Sequence, residues 1–167
     1  MSADRRAFVA MSVAAMLAPP AARASQAGQT DIGYWDEPIP VGDVRLGDWR
    51  IALVEGVPIF LRRRTADEVR QARATPLSDL PEPARDDTRA PGGEWLVVAG
   101  VCTHAGCPVQ AGLGPYAGWQ CFCHGSVYDL SGRIRRGPAK HNLPVIPHQF
   151  AAGAITLARP RDFQGAA

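Results

Sequence analysis

The sequence has little net charge, a single lysine, no internal repeat and no apolar run long enough to cross a membrane comfortably. The formal charge is +2, and residues 1–24 account for it, with Arg5, Arg6 and Arg23 set against Asp4. The rest of the chain is near neutral, which argues against a nucleic-acid binder. Seventeen of the eighteen basic residues are arginines spread along the chain. Their one small cluster, Arg62-Arg63-Arg64, reads as a solvated strand end rather than a phosphate patch. The apolar run near the N-terminus, Ala7 to Ala18, has twelve residues and only Ser12 is polar. As a helix it would span ~18 Å at ~1.5 Å per residue, short of a hydrocarbon core of ~30 Å. Length therefore favours a cleaved signal. Arg5-Arg6 before the run resembles a twin-arginine (Tat) export signal. Pro19-Pro20 ends the run, and Ala22-Arg23-Ala24 resembles a cleavage site.

What the chain does have is concentrated. All four cysteines and two of the four histidines lie in Cys102-Thr103-His104-Ala105-Gly106-Cys107 and Cys121-Phe122-Cys123-His124-Gly125-Ser126, thirteen residues apart. C-x-H puts a thiolate and an imidazole on one short loop, and C-x-x-H does so on another. Two such loops can clamp a flat two-iron rhomb, Cys102 and Cys121 on one iron, His104 and His124 on the other. Gly106, Gly125 and Ser126 suit close backbone approach to a cofactor. Ser126 and Tyr128 are candidate hydrogen-bond donors to cluster or ligand sulfur. Cys107 and Cys123 are placed to join as a disulfide if their Cα atoms come within ~4.4–6.8 Å. Two other readings stand beside this one: a zinc site, since zinc takes the same donors, and two structural disulfides in an exported domain.

CTHAGC with CFCHGSVYD resembles the Rieske iron–sulfur subunit of the cytochrome bc complexes, which usually reads CTHLGC and CPCHGSxYD. The similarity runs from about Pro40 to Leu157. It includes the stretches Val57 to Thr65 and Gly132 to Ala139. The resemblance implies one [2Fe–2S] cluster held by Cys102, His104, Cys121 and His124, with Ser126 and Tyr128 tuning it and a Cys107–Cys123 disulfide. It implies a third covering loop, Gly137-Pro138-Ala139. It also implies an electron-transferring subunit of quinol–cytochrome c oxidoreductase, with His124 and His104 meeting quinol. Cytochrome b and a c-type cytochrome would be its partners. The cluster domain would lie on the periplasmic side of a bacterial cytoplasmic membrane. In that family the N-terminal segment stays as an anchor, so residues 1–24 are expected as a Tat-type signal or a short membrane anchor. Ala105, Phe122 and Lys140 depart from the family's leucine and two prolines. The alternatives are a soluble periplasmic Rieske carrier, such as the small subunit of an arsenite-oxidase-type enzyme, and a structural zinc module. A Rieske oxygenase is disfavoured by the extra cysteine pair, the export-like start and the lack of a separate catalytic iron motif.

The remaining chain reads as an all-β fold. Residues 25–39 are expected as a linker, its Ser25 to Thr30 part a flexible tether and Asp31 to Pro40 packed extended chain, 40–160 as the cluster domain with a lobe at about 100–140, and 161–167 as a tail. Trp49–Val54 and Val57–Arg62 form a hairpin across Glu55-Gly56. Thr65-Ala66-Asp67-Glu68 matches a capping box opening one short helix to about Ala74. Thr75 to Gly93, with four prolines, reads as a solvated surface excursion. Glu94–Val101 is a buried strand, and short strands follow at 127–129, 133–135, 143–145, 149–151 and 154–157. Together they give antiparallel sheets, a sandwich or barrel with the cluster lobe at one end. Lys140-His141 and His148 share no metal spacing with the motif and are assigned to the surface.

Overall fold

The computed structural model describes residues 26–32 and 37–158. The expected signal or anchor at 1–24 and the tail at 161–167 lie outside these residues. In chain order the strands are β1 (Gln26–Ile32), β2 (Pro38–Pro40), β3 (Trp49–Val54), β4 (Val57–Arg63), β5 (Trp95–Ala99), β6 (Gln110–Ala111), β7 (Ala117–Gln120), β8 (Val127–Asp129), β9 (Ile134–Arg136), β10 (His148–Ala151) and β11 (Ala154–Leu157). Between β4 and β5 come α1 (Ala66–Ala74), a 3-10 turn at Leu77–Asp79 and the single-turn α2 (Asp86–Arg89). The strands make three sheets, ordered β1-β3-β4-β5, β10-β11-β2 and β6-β7-β8-β9.

Strands β3, β4 and β5 of the first sheet are largely buried on both faces, which is why they read as nearly continuous apolar runs. Side chains alternate across a strand. Ile59 and Leu61 of β4 and Val97 and Ala99 of β5 point into one core with Ile39, Ile146, Ile155 and Leu157 of the second sheet and its approaches. Phe60, Leu96 and Val98 point the other way, into a core shared with Trp119, Tyr128, Ile134, Cys102 and Cys121. The cluster lobe therefore rests on the back of the central sheet rather than on a loop. At the β3–β4 hairpin, Glu55 and Gly56 both have positive φ (50° and 81°), as a two-residue type I′ turn requires. The capping box at Thr65 and Glu68 is present in both directions.

Four expectations are corrected. Gln26–Ile32, expected within a linker and in part as a tether, is a strand pairing in parallel with β3. Pro38–Pro40, within the stretch expected as packed extended chain, is a strand paired with β11. Strand pairing uses backbone groups, so a small, polar composition does not prevent it.

The arginine cluster is not a solvated strand end. Arg62 is buried over the Trp49 ring, 5.3 Å from its centroid, and pairs with Glu68. Arg64 is buried against Asp86 at 2.5 Å and donates to the Gly93 carbonyl.

The excursion from Thr75 to Gly93 lies at the surface, as expected, but it is only partly solvated. It buries Leu80, Asp86 and Ala90. Arg89 donates to the carbonyls of Ser131 and Leu143, at 2.6 Å each. Asp86 and Arg89 are spent on internal partners, which composition does not show, while Arg85 and Asp87 pair with each other in the open. Leu143–Val145, expected as a strand, contributes only an isolated bridge from Val145 to Val98.

Candidate metal centre

Two loops built on one plan carry the cysteines and histidines. The first joins β5 to β6 and the second joins β7 to β8. In the first, Cys102 N–H donates to the Cys107 carbonyl and Gly106 N–H to the Cys102 carbonyl, both at 2.8 Å. In the second, Cys121 N–H donates to the Ser126 carbonyl at 2.8 Å and Gly125 N–H to the Cys121 carbonyl at 3.0 Å. Each loop turns through a glycine at the same place, Gly106 with φ 72° and Gly125 with φ 78°. That left-handed conformation strains any residue with a Cβ.

The outcome is a donor set of two kinds. Cys102 and Cys121 are free, buried thiols at the loop bases. His104 and His124 are exposed at the tips, their rings 4.7 Å apart and nearly perpendicular. Cys107 and Cys123 form a disulfide between the loops, with Cα atoms 6.6 Å apart. The Cys121 sulfur lies within 4.8 Å of both disulfide sulfurs. A disulfide sulfur is a poor ligand beside a free thiol, however, since the thiolate is the metal-binding form. Proximity alone therefore does not make those three a site.

Around the thiols lies a set of hydroxyls. Tyr128, fully buried, places its hydroxyl 3.3 Å from the Cys102 sulfur and also accepts from the Thr103 N–H. Burial opposes ionisation of Cys102. Hydrogen bonds from Tyr128, the His104 backbone N–H, Cys121 and Ser126 outweigh it and hold this thiol below its usual range. Cys121 is pushed the other way by burial, with the neighbouring Cys102 adding to the shift. Burial and the Cys102 bond also drive the Tyr128 phenol well above its ordinary range, so it stays a donor. Ser126 Oγ accepts from Ala139 N–H at 3.1 Å, which fixes Gly137-Pro138-Ala139 as a third loop over the other two.

The sequence model of one family, described as the Rieske [2Fe-2S] domain, matches residues 39–147. The chain belongs to the Rieske [2Fe-2S] domain family. The "Ubiquinol-cytochrome c reductase iron-sulfur subunit" of Rickettsia felis is 44% identical over 114 residues, covering 67% of this chain and 64% of the relative. The "Cytochrome b-c1 complex subunit Rieske-1, mitochondrial" of Arabidopsis thaliana is 45% identical over 112 residues, covering 67% of this chain and 41% of the relative. This chain thus spans 41 to 64% of the length of these relatives. A chain of the solved "Hyperthermophilic respiratory Complex III" aligns with TM-score 0.50 at 22% identity, covering 72% of each chain, and shares the fold.

Membership brings one Rieske-type [2Fe–2S] cluster as the cofactor of this domain. The residues present fit it: two buried free thiols on one side, two adjacent imidazoles on the other, and a disulfide removing the surplus cysteines. Sequence reasoning missed Thr103, Glu82 and Asn142. Thr103 Oγ1 donates to the His141 carbonyl at 2.6 Å and lies 3.2 Å from the Tyr128 hydroxyl. Glu82 holds the same peptide from the far side, accepting from Asn142 N–H at 2.5 Å and lying 3.1 Å from His141 Nδ1. Nothing in the spacing of Glu82, 59 and 60 positions from these partners, points to this. His141 and His148 are not among the clustered donors. His148 Nδ1 lies 2.9 Å from the Ile146 carbonyl.

Proposed function

We propose that this protein is the electron-transfer subunit of a quinol–cytochrome c oxidoreductase, taking an electron and, through His124, a proton from quinol and passing the electron to a c-type haem. The observation that carries the reading is the pair of exposed imidazoles, His104 and His124, side by side at the tip of a domain whose thiols are buried. The names of its relatives support it.

In this reading Cys102, Cys121, His104 and His124 are the cluster ligands. When bound, the cluster supplies a one-electron couple whose potential is raised by histidine ligation and tuned by hydrogen bonds to sulfur. The protein's own residues do the rest. An imidazole has two ring nitrogens, so a metal-bound His124 keeps one to meet the quinol hydroxyl and take its proton. His104 offers a second such nitrogen beside it. Tyr128 and Ser126 direct hydroxyls at the sulfur side, while the buried thiols keep water from that side of the site. The exposed Phe122, Ala105 and Lys140 border the tip and form part of the docking surface.

Cytochrome b and a c-type cytochrome are the proposed partners, and the proposed location is the periplasmic face of a bacterial cytoplasmic membrane. Among the described residues no helix is long and apolar enough to cross a membrane. We assign export to residues 1–24, as a Tat-type signal that is either removed or retained as an anchor.

Low-temperature EPR of dithionite-reduced membranes and periplasmic extract tests the reading. A Rieske signal in washed membranes that shifts on adding a quinol-site inhibitor is the expected result. The same signal confined to the soluble extract, indifferent to the inhibitor, would replace the quinol reading with that of a soluble carrier for another enzyme.

A further inference from the structure

A chain of hydrogen bonds runs from the Cys102 sulfur to a carboxylate outside all three cluster loops. Tyr128 Oη lies 3.3 Å from Cys102 Sγ and 3.2 Å from Thr103 Oγ1. Thr103 Oγ1 spends its one proton on the His141 carbonyl at 2.6 Å. It therefore meets Tyr128 only as an acceptor. Tyr128 also has one proton, and two acceptors compete for it: the Cys102 sulfur and the Thr103 oxygen. The outcome depends on where the His141 carbonyl stands. That peptide is pinned by Glu82, whose carboxylate takes the buried Asn142 N–H at 2.5 Å and meets His141 Nδ1 at 3.1 Å. The Asn142 side chain closes the arrangement, donating to the Glu82 carbonyl at 3.2 Å and accepting from Ile134 N–H at 2.8 Å.

We propose that Glu82 is a positioning residue for the metal centre: by holding the His141–Asn142 peptide it keeps the Thr103 hydroxyl turned away from Tyr128 and so sets how far the Tyr128 proton is committed to the Cys102 sulfur. Hydrogen bonds to sulfur are a main lever on the potential of an iron–sulfur centre. If the peptide is released, Thr103 is free to rotate and donate to Tyr128. Tyr128 then gives its proton to Cys102 without competition. A stronger bond to sulfur favours the more negatively charged reduced state, and the potential rises.

This rests on Cys102 being a cluster ligand, and the test separates the two. The midpoint potential of the full-length, cluster-loaded protein is measured for wild type, Glu82→Ala, Glu82→Gln and Thr103→Val, and for the two Glu82 changes combined with Thr103→Val. Glu82→Gln loses the charge but keeps an acceptor for Asn142. Loss of charge is thus common to both Glu82 variants, and only the alanine releases the peptide. Glu82→Ala is expected to shift the potential upward beyond Glu82→Gln, and Thr103→Val to shift it upward as well. With Thr103→Val present, the gap between Ala and Gln is expected to vanish, because the competing acceptor has gone. A double-mutant cycle of this kind isolates coupling from independent effects. Equal potentials for Glu82→Ala and Glu82→Gln, or a gap that survives Thr103→Val, would overturn the proposal. Should Glu82→Ala fail to load, Glu82→Asp, which keeps the charge but withdraws the carboxylate by one methylene, is compared with wild type instead: an upward shift that vanishes when Thr103→Val is present is expected, and no shift, or one that survives Thr103→Val, would overturn the proposal. A Rieske EPR signal absent from wild type would instead overturn the cluster assignment beneath it.

Discussion

Gly137 lies so close to Ser126 that a Cβ on it would stand 2.4 Å from the Ser126 Cα and 2.9 Å from its Oγ. Its φ of 113° is one that a residue with a side chain adopts only under strain. The third loop can therefore close on the second only at a glycine, and the Ala139 N–H bond to Ser126 depends on that closure.

Gly137→Ala is expected to lift the third loop from the cluster loops. Backbone strain of this kind costs about 1–3 kcal/mol, and the contact with the Ser126 backbone adds to it because neither side can yield. The variant should fold, since Gly137 is remote from the core between the first two sheets. Iron content per protein and the visible absorption of the cluster should fall well below wild type. Full loading with an unchanged spectrum would show that the contact is relieved by a local shift.

The Arg64–Asp86 pair makes a second prediction. Both side chains are fully buried, and Ser131 Oγ donates to the same carboxylate. Removing one partner of such a pair typically costs about 3–5 kcal/mol, because the other is left charged and buried. Asp86→Ala should destabilise the loaded protein by that order, read as a lower midpoint in urea. Arg64→Met with Asp86→Leu should be closer to wild type than Asp86→Ala alone. The opposite ranking would mean that water reaches Arg64 when its partner is lost.

What could be read from the chain and what could not divide along physical lines. The capping box at Thr65 and Glu68 and the hairpin turn at Glu55-Gly56 are local, set by residues within four positions of each other, and both are present. The two loops of the metal centre carry their turn chemistry in their own glycines. Arg64, Asp86 and Glu82 were misread or missed because a charged residue announces its type and not its partner. Arg64 meets Asp86 across 22 positions, and Glu82 meets Asn142 across 60. The β1 strand was read as a tether because pairing with β3 uses the backbone, which composition does not record.

The disulfide makes a third prediction. It closes a loop with a sequence separation of 16. In the chain-entropy account a loop of that length contributes about 3 kcal/mol. It also ties together two loops whose other direct links are the Ser126 and Tyr128 hydrogen bonds to Cys102 and Thr103. Cys107→Ser with Cys123→Ser, made together so that no third thiol is left beside Cys121, should lower the thermal midpoint. It should also shorten the half-life of the visible cluster absorption at neutral pH. An unchanged half-life with a lowered thermal midpoint would assign the bond to the fold alone.

Glu82 gives the pH dependence. Burial pushes its carboxyl up, but the Asn142 N–H, the hydrogen bond and charge of His141 and the charge of Arg89 outweigh that, and it titrates below its ordinary range. A carboxyl depressed by folding adds stability that is complete above the unfolded pKa and is lost as pH falls through the folded one. The Glu82 side chain is 39% exposed, and solvent screening holds the contribution to no more than about 1 kcal/mol. Glu82→Gln should therefore be slightly less stable than wild type at about pH 7, and the gap should narrow as the pH falls below the ordinary carboxylate range and through the lowered Glu82 titration. Urea midpoints at neutral pH and below the carboxylate range decide it. Midpoints separated by the same interval at both would show that the charge of Glu82 does not contribute and that its hold on the His141–Asn142 peptide comes from acceptor geometry alone.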